Sequence, residues 1–247
     1  MRNCTLTILG QKGSGKTTFA RLLLVRTPRA VVVDRFQEYD GAAVSSFPAA
    51  LDYLAANWRG RFRLACRFYQ DLHHRELFRY IILTARRCPT LPIALLIEEA
   101  DFFADPHGIE PVVDYLYKYG RHWQLNIVSI ARGDTDLHRS IINNTDCFII
   151  FRQRRFSSNM RNLFAPSDLA HLPSLETLTP NVTPKKGVHF LTYPPEADPF
   201  ALWAAANGSL PSALPVMPPA LDTALAGRYP PTTHPAPGTD TPNGDGS

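Results

Sequence analysis

Four residues near the start of the chain, Gly10, Gly15, Lys16 and Thr17, fit the spacing G-x-x-x-x-G-K-[ST]. Those residue types at those intervals suit the grip of a polyphosphate. Glycines let the backbone reverse tightly around an anion and leave its N–H groups bare, so the run Gly10, Gln11, Lys12, Gly13, Ser14, Gly15, Lys16, Thr17 and Thr18 can cradle α- and β-phosphates at the start of a helix. The Lys16 ammonium reaches β- and γ-phosphate oxygens, and the Thr17 hydroxyl is a ligand for Mg²⁺. A second stretch, LLIEEAD, brings two adjacent carboxylates. Glu98 is placed to hold the Mg²⁺ shell through water and Glu99 to take a proton from an attacking water. The chemistry these groups could do together is metal-assisted cleavage of a nucleoside triphosphate, with ATP and Mg²⁺ as the expected ligands.

Elements must deliver these groups to one place. Thr5 to Leu9 is a short β-branched and apolar strand running into the glycine turn, and the helix that follows begins near Lys16. Arg29 to Phe36, with three consecutive valines, reads as a strand buried on both faces. Asp34 falls at its carboxyl end, where ligands of open α/β sheets gather, although a turn former or cap would serve there equally. Ser46 to Trp58 reads as a helix. Arg61 to Phe68 alternates polar and apolar residues, which predicts a strand with one face more exposed. Asp71 to Arg87 is a helix with a basic, solvated face carrying His73, His74, Arg75, Arg79, Arg86 and Arg87; adjacent histidines diverge by about 100° on a helix, which disfavours a metal pair. Ile93 to Ile97 is the apolar strand that presents Glu98 and Glu99. A helix over Gly108 to His122, a buried strand over Leu125 to Ala131, a helix from about Asp136 to Asn143 and a strand over Asp146 to Phe151 follow. A helix over Ser157 to Phe164, irregular helix over Ser167 to Leu178 and a final strand over His189 to Tyr193 complete the pattern. Alternating strands and helices predict an α/β fold, a mostly parallel sheet with helices on both faces.

The chain has 247 residues and a formal charge of +4, enough material for one large domain and a balance that permits a polyanionic partner without demanding one. Cys4, Cys66, Cys88 and Cys147 are widely spaced and form no C-x-x-C pair, which argues against structural zinc or a disulfide framework and for a reducing interior. No apolar run is long enough for a transmembrane segment. Residues 1–203 are expected to form the globular domain. Over 204–247 proline, alanine, glycine and threonine dominate without any period, and a disordered tail is expected there.

In combination these segments resemble the HerA/FtsK superfamily of DNA-pumping P-loop ATPases, over roughly Thr5 to Phe151. GQKGSGKTT is similar to that family's phosphate loop (Walker A) and VVVDRFQEYD to its second-strand pattern, an Asp followed by a Glu-Tyr pair, here Asp34, Glu38 and Tyr39. LLIEEAD resembles its Mg²⁺ strand with the catalytic glutamate, and YGRHWQLNIVSIARGDTDLHRSIINNTDCFIIFR the segment that carries an arginine and a sensor strand. Two departures stand out: Glu98 occupies a place where the family commonly has Asp, and Ala131 a place where it commonly has a Gln sensor, which leaves Arg132 or Ser129 to sense the γ-phosphate. The resemblance implies a P-loop NTPase fold of RecA/FtsK type, hydrolysis of ATP, and a hexameric ring in which an arginine of one subunit completes the site of the next. Arg121 best matches that arginine, with Arg132, Arg139 and Arg154 as rivals.

Read as a bare motor core that begins at its first strand, the chain looks most like the genome-packaging ATPases of membrane-containing icosahedral viruses. That implies backbone contacts to double-stranded DNA without sequence readout, a homo-oligomer, capsid or membrane-associated vertex proteins as partners, and a place in the host cytoplasm or on the virion. The basic helix from His73 to Arg87 and the segment from Arg152 to Arg161 are the candidate DNA or subunit surfaces. A conjugation or repair translocase, a phage assembly ATPase, a small P-loop kinase using the second of those segments as a lid, and a nucleotide-gated interaction protein are the competing readings.

Overall fold

The structure, a computed structural model, describes residues 3–25, 27–153, 161, 190–194 and 196–207. The helices expected over Ser157 to Phe164 and Ser167 to Leu178, Arg154 and the tail beyond Asn207 lie outside those residues. The apolar runs form strands because each can bury both faces. Thr5–Leu9 (β1), Arg29–Val33 (β2) and Ile93–Ile97 (β5) are buried at every position, as is the longer Leu125–Ala131 (β8). With Ala42–Val44 (β3), Phe62–Cys66 (β4), Cys147–Ile150 (β9) and Leu191–Tyr193 (β10) they make one eight-stranded sheet in the order β10-β9-β1-β8-β5-β2-β4-β3. Every neighbouring pair is parallel except β10 with β9.

This order places β8 between β1 and β5, so the glycine turn and the paired glutamates leave strands that are not neighbours but share one carboxyl edge. The registers Leu9 with Ala131 and Ile97 with Ser129 carry that edge across three strands.

Among the described residues six helices cover the sheet: Lys16–Val25 (α1), Phe47–Asn57 (α2), Asp71–Arg87 (α3), Pro111–Tyr119 (α4), Arg139–Asn143 (α5) and Pro199–Asn207 (α6). On one face Phe19, Leu23 and Leu24 of α1 and Trp203 and Ala206 of α6 pack with Leu6, Ile8, Val128, Ile130 and Ile149. Side chains alternate along a strand, so Ser129 faces the opposite side, where the Tyr117 hydroxyl of α4 hydrogen-bonds it. On that side α2, α3, α4 and α5 lie side by side. Helix α6 is anchored by polar contacts as well: Trp203 Nε1 donates to Thr27 Oγ1 at 2.8 Å, and Asn126 Nδ2 donates to Asn207 Oδ1 at 3.1 Å while Asn126 Oδ1 accepts from the Cys4 N–H at 2.8 Å. All four cysteines are buried and unbridged; burial pushes the Cys4 thiol up to about 12 and Cys147 to about 11.

Several elements differ from the sequence expectation, each for a physical reason. Strand β4 is buried on both faces apart from the half-buried Arg63, because β3 extends the sheet beyond it and removes it from the edge. The helix expected from Gly108 starts at Pro111, the first-turn position at which a missing N–H costs nothing. Before it, Ala104–Asp105 (β6) and Gly108–Ile109 (β7) pair as a small hairpin, and after it Gly120–Trp123 is a 3₁₀ turn. The helix expected from Asp136 begins at Arg139, with His138 as its cap. The basic face of α3 is only partly solvated, since His74 is fully buried between the rings of Phe68 and Phe103. Residues 204–207, assigned to the tail, complete α6, where Ala206 and Asn207 are buried.

Candidate active site

The turn from β1 into α1 is built around glycines that no other residue could replace. At Gly10 an added Cβ would stand 2.6 Å from Ser14 Oγ and 2.7 Å from Phe151 Cβ, and Gly15 has φ of 101°, a conformation that side chains resist. The loop is closed onto the sheet by the Gly10 N–H donating to the Ala131 carbonyl at 3.3 Å and Gln11 N–H to the Arg152 carbonyl at 2.9 Å. Helix α1 then opens with N–H groups that have no intrahelical acceptor, the donor arrangement an anion seeks. Lys16 Nζ is parked on the loop's own Gln11 carbonyl at 3.1 Å, and burial lowers its pKa.

Across the edge, β5 ends in two carboxylates that point different ways. Glu99 has φ 50°, ψ 59°, a left-handed conformation costly for a side-chain-bearing residue, and its side chain stays 27% exposed. Glu98 is buried, accepts a 2.6 Å hydrogen bond from the Tyr39 hydroxyl, and is pushed up to about 7 by burial. Glu99 Oε1 is 3.2 Å from the Arg132 guanidinium, which stands just past the end of β8.

Lys12, Gly13, Lys16, Thr17, Glu98, Glu99, Ala131 and Arg132 all line a single cleft of 310 Å³, so the residues proposed from the two separate motifs do meet. The cleft also takes in Phe36 and Glu38, which the motif reading left without a task. Glu38 Oε2 accepts from the Thr17 hydroxyl at 3.1 Å. Asp34, expected as a nucleotide contact, does not line the cleft: it is fully buried and accepts from the Glu38 N–H at 2.7 Å, the Tyr39 N–H at 3.4 Å and Arg67 Nε at 3.0 Å. Its turn-forming alternative is the one realised. Ser129 is likewise withdrawn, occupied by Tyr117 below the sheet, which leaves Arg132 as the polar side chain at the end of β8. Arg121 is exposed in the 3₁₀ turn before β8. A seven-residue strand spans about 20 Å, so Arg121 sits at the far edge of the sheet from the cleft of its own chain. The pairing of Glu38 with Thr17 and of Tyr39 with Glu98 had one signal in the sequence, the spacing D-x-x-x-E-Y after a buried strand.

The oxygen donors fit Mg²⁺, which takes one or two carboxylates together with waters and substrate phosphates: Thr17, Glu38 and Glu98 all line the cleft.

No family model matches the chain, and no curated protein matches it. Among solved structures it is similar to the genome packaging NTPase B204 of Sulfolobus turreted icosahedral virus 2 in complex with ATP-gammaS, with TM-score 0.56 and 19% identity over 77% of this chain and 91% of that one. The same protein in complex with AMP gives TM-score 0.56 and 18% identity over 77% and 92%. B204 of Sulfolobus turreted icosahedral virus, a DNA-packaging ATPase, gives TM-score 0.50 and 17% identity over 66% and 81%.

The chain has the P-loop NTPase fold. Within that fold β1 leads into the Gly10–Thr17 turn, and β8 is the strand interposed between β1 and the acidic strand β5. No helix among the described residues is long and apolar enough to cross a membrane.

Proposed function

We propose that this protein is an ATPase that moves double-stranded DNA, and that its task is to package a viral genome into a preformed capsid. The observation that carries the reading is the cleft itself: a phosphate loop and two strand-end glutamates, far apart in the chain, open into one 310 Å³ space, on a fold shared with a viral genome packaging NTPase in complex with ATP-gammaS.

In this mechanism the loop N–H groups hold the α- and β-phosphates, Lys16 reaches the β- and γ-phosphate oxygens, Thr17 and Glu98 would hold Mg²⁺, the latter through water, and Glu99 accepts a proton from the water that attacks the γ-phosphorus. Bound Mg²⁺ would neutralise charge on the β/γ oxygens. The P–O bond to ADP breaks as the new P–O bond to water forms, giving ADP and inorganic phosphate. Arg132 serves as the γ-phosphate sensor. An ion pair as exposed as Arg132–Glu99 is worth about 0–1 kcal/mol, so an arriving phosphate draws the guanidinium away and frees Glu99 to act as base. Arg121, remote from its own cleft, acts in the cleft of a neighbouring subunit in a hexameric ring. DNA is held through its phosphates in the ring's channel, at a capsid vertex in the host cytoplasm or on the virion.

The test is ATP hydrolysis measured with and without linear duplex DNA, alongside a native mass measurement. DNA-stimulated turnover without any phosphoryl acceptor, by an oligomer, is the expected result. Turnover that requires a small-molecule acceptor and ignores DNA would identify a kinase instead.

A further inference from the structure

A hydroxyl that gives a lone pair to a metal must still place its one hydrogen on an acceptor. In this cleft the acceptor next to Thr17 is Glu38, 3.1 Å from the hydroxyl. The strand-end carboxylate Glu98 is otherwise engaged, receiving the Tyr39 hydroxyl on Oε2 at 2.6 Å. Two consecutive residues of one loop therefore divide the work, Glu38 facing the phosphate loop and Tyr39 the acidic strand.

Glu38 is held in place more firmly than an exposed side chain on a loop requires. Its N–H is fixed by Asp34 Oδ1 at 2.7 Å and its carbonyl by Arg21 Nε at 2.8 Å. Asp34 is itself pinned by Arg67 Nε at 3.0 Å, and Arg67 Nη2 also donates to the Tyr39 carbonyl at 3.0 Å. Arg21 of α1, Asp34 just past β2 and Arg67 just past β4 thus converge on the backbone of Glu38 and Tyr39, and the Glu38 carboxylate accepts from Thr17.

We propose that Glu38 is the positioning residue for the Mg²⁺ site: it accepts the Thr17 hydrogen, turns the hydroxyl lone pair toward the ion and adds a carboxylate to the ion's outer shell. This rests on the Mg²⁺–nucleotide reading of the cleft. Glu98 is then left to contact the shell through its second oxygen.

The test uses the full chain and a fluorescent, non-hydrolysable ATP analogue, with binding followed as Mg²⁺ is titrated and thermal unfolding measured in parallel. In Glu38→Ala the Mg²⁺ concentration for half-maximal tightening of nucleotide binding rises about tenfold or more, the usual effect of losing an outer-shell partner, while the melting temperature stays as in the parent. Glu38→Gln, whose amide oxygen still accepts from Thr17, recovers most of the loss. If the alanine variant unfolds, Glu38→Leu, of similar bulk and with no acceptor, takes its place: the same rise in the Mg²⁺ requirement is expected, with Glu38→Gln again recovering most of it. Equal impairment of the alanine and glutamine variants, or a Mg²⁺ response unchanged in both, overturns the inference. A parent chain that binds the analogue indifferently to Mg²⁺ overturns the reading of the cleft and this inference with it.

Discussion

Glu98 combines burial with a proposed task, holding the Mg²⁺ shell, that needs its charge. An unfolded carboxyl titrates near 4.5 and the folded one is pushed up to about 7. Between those values the folded chain keeps a proton that the unfolded chain has lost, so this group favours folding at low pH, and that contribution is gone once pH rises through 7. Mg²⁺ competes with the same proton. Nucleotide binding in the presence of Mg²⁺ should therefore tighten from about pH 6 to about pH 8, and Glu98→Gln should flatten that profile; a parent profile already flat would remove Glu98 from the shell. At this scale Lys16, Thr17, Glu98 and Glu99 were legible because spacing and strand context fix what they face. The partners of Asp34, Glu38 and Ser129 were not legible, because they depend on which way a loop turns and which face of β8 a side chain takes. Gln37, at φ 60°, turns the loop in a way its side chain does not advertise.

The strands were readable as elements because runs such as VVV in β2 and IALLI in β5 have nowhere to go but a doubly covered sheet. Their lateral order was not, since nothing local in β8 says that it inserts between β1 and β5. Helix α6 was hidden by its surroundings: an alanine-rich segment with proline at its start carries almost no amphipathic signal, and its place is set by Trp203 and Asn207. Trp203 is essentially fully buried and ties the end of the described chain to Thr27 after α1. Trp203→Ala should cost about 3–5 kcal/mol and lower the melting temperature by roughly 10 °C. Calorimetry checks this, and a shift within error would mean that α6 is not part of the cooperative unit.

For the whole molecule the question is how a cleft completes itself. Arg121 stands at the amino edge of the sheet while the cleft opens at the carboxyl edge, so under the proposed mechanism it works on the cleft of a neighbour. Subunits carrying Arg121→Ala retain their own base, and subunits carrying Glu99→Gln retain their arginine. Mixed assemblies of the two inactive variants should recover part of the ATPase rate where an active cleft meets an intact arginine, and no recovery in verified mixed assemblies would exclude Arg121. The broad plan, a nucleotide site at one edge of an α/β sheet, was readable from two motifs; subunit geometry was not, because it is a property of surfaces that meet only in an assembly. Because none of the four native thiols reaches solvent, a single cysteine introduced at an open position such as Tyr69, 83% exposed, would take a maleimide dye selectively. Energy transfer between labelled copies could then follow spacing around an assembly during turnover, without first stripping the protein of its own cysteines.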